Sequence, residues 1–179
     1  QQPDNTVKFQ SLLTDIKEKI LDPLQTYIDK TRNVYNSHFL SNYLGSICLQ
    51  ICQLSRQRMD DETYKSLKLS EYFYVGQIAL ENAVDSDGAV DTQGNKEINY
   101  VAHKNLGNLF WEWQFLLSSL EQINEKLESA IQHWEKALEL MRGETLSRLN
   151  RTLREEIEIS IGAARKKINA DPSLNMKSA

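Results

Sequence analysis

Apolar residues recur every three or four positions over almost the whole chain, which is the spacing of one face of an α-helix. The first such row consists of Phe9, Leu12, Leu13, Ile16, Ile20 and Leu24. Further rows predict helices at about 36–58, 67–84, 97–122, 125–142 and 144–169. The pattern therefore predicts an all-α fold of five to six antiparallel helices joined by short turns.

Breaks in this pattern indicate where helices begin and end. Asp22 and Pro23 have the form of an N-cap followed by proline, so the first helix is expected to kink or restart there. Asp60 and the two acidic residues after it supply the capping oxygen and negative charge favoured at a helix start. Residues 85–96, with two glycines and three aspartates, are typical of an exposed loop, and the tail at about 172–179 is expected to fray.

Three glycines inside predicted helices lie at an even spacing of 31 residues. They are Gly45, Gly76 and Gly107, each preceded by Leu or Val and followed two positions later by Ile or Leu. A helical glycine costs about 1 kcal/mol relative to alanine, so a packing reason is expected. We predict close helix crossings, where the missing Cβ admits a bulky side chain. The spacing also fits an array of helical hairpins, with a chance coincidence as the alternative.

The segment 101–140 carries small and aromatic residues at fixed offsets. These are Ala102, Leu106, Gly107, Phe110, Ala130, Trp134, Ala137, Leu138 and Leu140. The set resembles the two helices of a tetratricopeptide repeat, although 23 residues from Gly107 to Ala130 are about twice the separation in that repeat. The resemblance implies a tetratricopeptide-like helical hairpin, whose relatives bind peptides or partner proteins on a concave face. A plain helical bundle is the alternative architecture.

Aromatic residues are concentrated in the stretch 110–117. A helix that is apolar most of the way round lies at the centre of its fold, so this stretch is predicted to belong to the core. Trp111 and Phe115 lie around a different face from Trp113, which makes them candidate contacts for a partner protein. An alternative is a small apolar ligand held in the core around Trp111, Trp113 and Trp134.

The composition is that of a globular protein, with 40% hydrophobic and 26% charged residues. A chain of 179 residues buries about 70% of its unfolded surface, so one all-α domain over 1–179 needs no disulfide or metal. No apolar run approaches the roughly 20 residues that span a bilayer. The first ten residues lack the pattern of a secretory signal, and a start at Gln1 is typical of an excised domain or a trimmed product.

The net charge of −4 is unfavourable for non-specific binding to nucleic acid or to anionic membranes, and it is unevenly distributed. Residues 1–141 carry 13 basic and 20 acidic groups, whereas 142–179 carry 8 and 5. Arg148, Arg151 and Arg154 form a row on the last predicted helix. One interpretation is a solvated face whose charge complements the helix dipole. The functional interpretation is that this basic row binds an acidic partner protein, or an acidic region of a second copy of the chain.

Cysteine and histidine residues show no metal-site pattern. Cys48 and Cys52 lie four apart in a predicted helix, where parallel side chains close a disulfide poorly, so two buried, reduced thiols are expected. Such thiols favour a cytoplasmic protein. His38, His103 and His133 lie on separate segments, none with a second His or Cys at metal-ligand spacing. We predict neither a metal nor a cofactor.

One short motif has an enzymatic interpretation. Arg32 and His38 are separated by five residues, and the polar Asn33 follows the arginine. This resembles the R-x4-6-H motif of HEPN domains, which are small all-α dimers, many of them RNases. The resemblance implies that His38 acts as general acid or base on a ribose 2′-hydroxyl and that Arg32 stabilises phosphate charge. The motif lies early in this chain and the net charge is acidic, which departs from that family's pattern.

The sequence thus favours a non-enzymatic helical interaction or scaffold module that docks a protein or peptide partner. The predicted contacts are Arg148, Arg151, Arg154, Trp111 and Phe115. A homodimer is compatible with the basic row. The alternatives are an RNase that uses Arg32 and His38, and a helical sensory domain that binds a small apolar ligand.

Overall fold

All regular structure in the described part of the chain is helical, as the hydrophobic pattern predicts. The described residues of this computed structural model are 3–30, 37–84, 97–142 and 148–170. No strand occurs within these ranges, so the all-α prediction is confirmed. The chain divides into two compact units, 1–87 and 88–179, each with its own set of helices. That one domain spans 1–179 stays a prediction.

The described helices are more numerous than predicted. Those of the first unit are α1 (Pro3–Ile16), α2 (Asp22–Lys30), α3 (Ser37–Arg58), α4 (Asp61–Ser66) and α5 (Ser70–Val84), with a π-helical segment (Lys17–Leu21) between α1 and α2. Those of the second unit are α6 (Glu97–Trp113), α7 (Leu120–Leu140) and α8 (Arg148–Asn169), with a 3₁₀ turn (Gln114–Leu116) after α6. Because α1, the π segment and α2 are continuous, the described residues form seven helices rather than five to six.

Two apolar residues end helices that the hydrophobic pattern would continue. Leu67 has an extended backbone (φ −70°, ψ 140°), which separates α4 from α5, so the helix expected from about 67 begins only at Ser70. Leu117 is also extended (φ −91°, ψ 147°), so the helix expected at 97–122 ends early and α7 begins at Leu120. Periodicity shows which face of a helix is apolar, but an apolar residue can lie in a turn as well as in a helix.

Some predicted features fall outside the described residues and stay predictions. They are the loop at 85–96, the frayed tail at about 172–179, Arg32, and the side chain of Arg148. Arg148 itself is the first residue of α8.

The start of α4 is capped as the sequence predicts. Asp60 has an extended backbone, and its side chain accepts a hydrogen bond from the backbone N–H of Thr63 at 2.8 Å. This bond pairs one of the donors that a helix start leaves without a partner. The same bond lowers the pKa of the Asp60 carboxyl, because it stabilises the ionised form.

The core of the first unit forms where α3 crosses α5 in the antiparallel direction. A Cβ added to Gly45 on α3 would lie 2.7 Å from Cδ2 of Leu80 and closer still to its Cγ, so Leu80 occupies that space. The carbonyl oxygen of Gly76 would lie 3.1 Å from the same Cβ. The predicted close crossing is therefore confirmed at Gly45. Leu80 is fully buried, which stabilises the fold by about 1.5–3 kcal/mol.

Pro23 is accommodated without a break in the helix. Asp22 has helical backbone angles (φ −63°, ψ −43°), so the expectation that it acts as an N-cap is wrong. Its N–H donates to the carbonyl of Lys17, five residues earlier, as in a π-helix. Pro23 lacks the N–H that a regular helix needs, and the wider turn directly before it accommodates this loss. Lys17 Nζ lies 3.2 Å from carboxylate oxygens of both Asp22 and Glu71 on α5.

The two cysteines are free and buried, as predicted. Cys48 and Cys52 both lie on the core face of α3, and neither side chain is exposed. Burial raises the pKa of the Cys48 thiol to about 12, because the low-dielectric core disfavours a thiolate. This thiol is therefore protonated and unreactive in the folded protein.

Candidate functional site

The second unit is built on a close crossing between α6 and α7. A Cβ on Gly107 would lie 2.8 Å from Cγ of Trp134 and closer still to two other ring atoms, so the indole ring occupies its place. Trp134 Nε1 donates a hydrogen bond to Oδ1 of Asn108 at 3.0 Å, which fixes the ring in the crossing. The prediction of a bulky side chain against this glycine is confirmed. Whether the hairpin belongs to a repeat stays a prediction.

Trp111 and Phe115, two of the predicted partner contacts, lie half-buried beside this crossing. The Trp111 ring is 6.1 Å from the rings of both Trp134 and Phe115, measured between centroids. Lys167 of α8 lies over them, with its Nζ 4.9 Å from the Phe115 centroid and 5.9 Å from that of Trp111. Cation–π contacts of this kind contribute about 0.5–1 kcal/mol at exposed sites. A partner that used these two rings would have to displace Lys167.

The basic row of α8 is partly paired within the helix. Arg151 is exposed, whereas Nε of Arg154 lies 3.2 Å from Oε1 of Glu158 one turn later. The opposite side of α8 packs on the core, where Ile157, Ile161 and Ala164 are buried. The helix therefore presents a polar side to solvent, and Arg151 is more available for a partner than Arg154.

A groove of about 600 Å³ runs between α7 and α8. It is lined by Glu135, Leu138, Glu139, Arg142, Glu158, Ile161, Gly162 and Arg165. Its apolar part is formed by Leu138 and Ile161, and charged side chains surround this part on both helices. The sequence prediction named none of these lining residues as a contact, because the groove exists only once α8 is placed against α7.

Gly162 opens this groove. It lies in the interior of α8 and is exposed, and a Cβ added there would meet no atom within 4 Å. The packing that accounts for Gly45 and Gly107 is therefore absent at Gly162 within the described residues. The sequence shows Gly162 only as a glycine inside a predicted helix, and the open space beside it becomes visible only in the structure.

The three carboxylates around the groove each have a basic partner. Arg165 Nη2 lies 2.5 Å from Glu135 Oε1, and Lys136 Nζ lies 2.9 Å from Glu139 Oε2. The third, Glu158, pairs with Arg154 as described above. The hydrogen bond from Lys136 is the largest cause that lowers the pKa of Glu139, so this carboxylate is ionised at neutral pH. Arg142, also at the groove, is exposed and in no ion pair within the described residues.

The structure brings two of the three histidines together. His103 on α6 and His133 on α7 lie with their Nδ1 atoms 3.0 Å apart and their ring centroids 5.2 Å apart. Phe110 stacks on the His133 ring at 5.6 Å. In sequence these histidines are 30 residues apart, so spacing alone could not reveal the pair. Among the described residues, no group of three or more His, Cys, Asp or Glu side chains is arranged to hold a metal ion.

Comparison with protein-family models, curated proteins and solved structures found no match. None of the described helices has the length and apolar character needed to cross a membrane.

His38, the candidate catalytic residue of the first unit, is partly buried near the start of α3. Its Nδ1 lies 3.4 Å from the backbone carbonyl oxygen of Asn82 on α5. Since a carbonyl only accepts, this contact requires a proton on Nδ1 and leaves the lone pair of the neutral ring on Nε2. Arg32, its predicted catalytic partner, lies outside the described residues.

Proposed function

We propose that this chain is a non-enzymatic helical interaction module that docks an acidic protein or peptide segment in the groove between α7 and α8. The single observation that carries this proposal is Gly162, a helical glycine that faces open space and lines the groove together with Leu138 and Ile161. A glycine in this position costs about 1 kcal/mol of helix stability relative to alanine. A partner backbone that approaches α8 closely at this point would account for that cost.

The charges around the groove favour an acidic partner. Glu135, Glu139 and Glu158 are each paired with a basic side chain, so they repel an incoming carboxylate less than isolated charges would. Arg142 lines the groove, and Arg151 lies on α8 two turns before Glu158. Both are exposed and available for a carboxylate of a partner that extends along α8 from the groove. The expected ligand therefore has an aliphatic side chain for Leu138 and Ile161, with acidic residues beside it.

The other predicted contacts fit this proposal to different degrees. Arg154 belongs to an ion pair on the same helix and would contribute through its remaining N–H donors. Trp111 and Phe115 lie beneath Lys167, so we place them at the periphery of the docking surface. Arg148 begins α8 and continues the same row.

The test compares two variants that add the same side chain at neighbouring positions. Gly162→Leu fills the groove, whereas Ala163→Leu adds the same bulk at an exposed residue of α8 that does not line it. A partner identified by affinity purification and mass spectrometry is purified, and its dissociation constant is measured by calorimetry against each variant. We expect Gly162→Leu to weaken binding by more than about tenfold and Ala163→Leu to leave it within about twofold. Equal affinity for both variants would place the partner elsewhere on the chain.

Charge reversal provides an independent check on the chemistry of the partner. Arg142→Glu together with Arg151→Glu should weaken binding. The difference in affinity between this variant and the unmodified chain should become smaller as the salt concentration rises, because salt screens the contacts of both arginines in the unmodified chain. Lys166→Glu, at an exposed position of α8 outside the groove, is the matched control.

An RNase that uses Arg32 and His38 is the second candidate, and the contact of His38 with Asn82 favours it. With the proton on Nδ1, the Nε2 atom is left as the basic nitrogen, which is what a general base requires. RNA cleavage by the purified chain that disappears in His38→Ala would support this candidate and overturn the interaction module.

A further inference from the structure

Two imidazole rings from neighbouring helices converge in the second unit. His103 extends from α6 and His133 from α7, and the two rings are tilted by 31° with their Nδ1 atoms 3.0 Å apart. Both side chains are partly buried. We propose that His103 and His133 form a binding site for a divalent late transition-metal ion, Cu²⁺ or Ni²⁺, which joins α6 to α7.

The hydrogen bond between the rings defines what the metal would replace. At 3.0 Å, one Nδ1 carries a proton and donates it to the lone pair of the other Nδ1. A divalent cation bound to both nitrogens takes the place of this shared proton. The donor ring loses its proton from Nδ1 and takes one up on its own Nε2, so both rings remain neutral ligands. Binding therefore needs no oxidant, reductant or other reactant.

The distance between the nitrogens favours some metals over others. With bonds of about 2.0–2.1 Å to each imidazole, a separation of 3.0 Å corresponds to an angle of about 94° at the metal. Neighbouring positions of a square-planar or octahedral ion subtend about 90°, whereas a tetrahedral zinc site would need about 3.3 Å between the nitrogens. Copper and nickel therefore fit this spacing better than zinc, once the two rings turn so that both Nδ1 lone pairs point at one ion.

The surrounding packing keeps the two rings next to each other before any metal arrives. The crossing of α6 and α7 is fixed by the indole of Trp134 against Gly107. The ring of His133 is stacked on Phe110, with only 20° between the planes. Ligands on two rigid helices lose little conformational entropy on binding, which favours chelation over binding to a single histidine.

The ligand count limits the strength of the site. Within the described residues these two imidazoles do not belong to a group of three or more His, Cys, Asp or Glu side chains that could hold a metal ion, so the proposed site rests on two protein ligands. The site is thus expected to exchange its metal readily, unlike a closed structural zinc site with four protein ligands. Copper should bind more tightly than nickel at the same nitrogens.

The experiment uses the full chain without a histidine tag, dialysed against a chelator and then titrated with Ni²⁺ or Cu²⁺ in a calorimeter. We expect one equivalent to bind at pH 7.5, and binding to fall by more than about tenfold in either His103→Gln or His133→Gln. His38→Gln removes a histidine of the first unit and should leave the affinity unchanged. The proposal is overturned if neither His103→Gln nor His133→Gln weakens binding, or if His38→Gln weakens it equally. It is also overturned if the unmodified chain binds no metal.

A second measurement needs no substitution and so does not depend on the folding of a variant. Cu²⁺ is paramagnetic and broadens the NMR signals of the side chains that bind it. At substoichiometric Cu²⁺, the imidazole signals of His103 and His133 should disappear first and together, and they should return when a chelator removes the copper. Broadening centred on any other residue overturns the proposal.

Discussion

The indole ring of Trp134 occupies the space that a Cβ of Gly107 would need, so these two residues fix how closely α6 and α7 approach. The ring cannot move away easily, because its Nε1 is hydrogen-bonded to Asn108 and its plane packs against Trp111. The aromatic cluster, the histidine pair and the position of α7 beneath the groove all depend on this one crossing.

Gly107→Ala should lower the free energy of unfolding by about 1–3 kcal/mol, because the new methyl group forces the indole ring or the helices apart. Gly162→Ala is the matched control, since its methyl group meets open space. It should raise the free energy of unfolding by about 0.5–1 kcal/mol through helix propensity alone. Urea unfolding followed by circular dichroism and tryptophan fluorescence measures both. A Gly107→Ala variant as stable as the unmodified chain would contradict the crossing.

The crossing of α3 and α5 allows a double-mutant cycle between Gly45 and Leu80. Gly45→Ala alone should destabilise the first unit by overpacking, and Leu80→Ala alone should cost about 2–5 kcal/mol by leaving a cavity. In the double variant the new methyl group of residue 45 enters that cavity. The combined loss should therefore be smaller than the sum of the single losses by about 1 kcal/mol or more. Strict additivity would mean that the two residues are not in contact.

The cap at Asp60 predicts a specific dependence of stability on acid. Because the folded state lowers the pKa of this carboxyl, its stabilising effect is present above the unfolded value of about 3.9 and is lost as the pH falls through the folded pKa. Asp60→Asn keeps an oxygen acceptor for the N–H of Thr63 but does not titrate in this range. The unmodified chain should therefore lose more stability than Asp60→Asn between pH 5 and about pH 3 in parallel urea titrations. Identical pH profiles would show that the cap does not form.

The thiols of Cys48 and Cys52 should react only when the first unit opens. Both are fully buried, and the pKa of Cys48 is raised to about 12, so almost no thiolate exists at pH 8. A chromogenic disulfide reagent should label neither cysteine of the native chain and both after unfolding in urea. The native labelling rate should increase with urea in parallel with unfolding. Rapid labelling of one equivalent without urea would be inconsistent with the packing of α3.

The sequence contains the signals for the fold class and for the glycine crossings, because helical periodicity and the cost of a helical glycine are both local properties. It does not contain an equally strong signal for the turns at Leu67 and Leu117, which are apolar residues with extended backbones. The turn at Leu117 sets which residues of α6 face which residues of α7. The pair formed by His103 and His133 depends on that register, and so neither composition nor spacing could have revealed it.

The π-helical segment before Pro23 has a consequence for the register of the whole N-terminal helix. Leu13 and Leu21 are both buried although eight residues separate them, a spacing that would place them about 80° apart on a regular α-helix. The wider turn absorbs one residue and restores a common face for Leu13, Leu21 and Ile28. Deletion of one residue from 17–20 would leave Leu13 and Leu21 seven positions apart, which is the spacing of one face of a regular α-helix without a π-helical turn. The first helix should therefore tolerate the loss of one residue there far better than the gain of one.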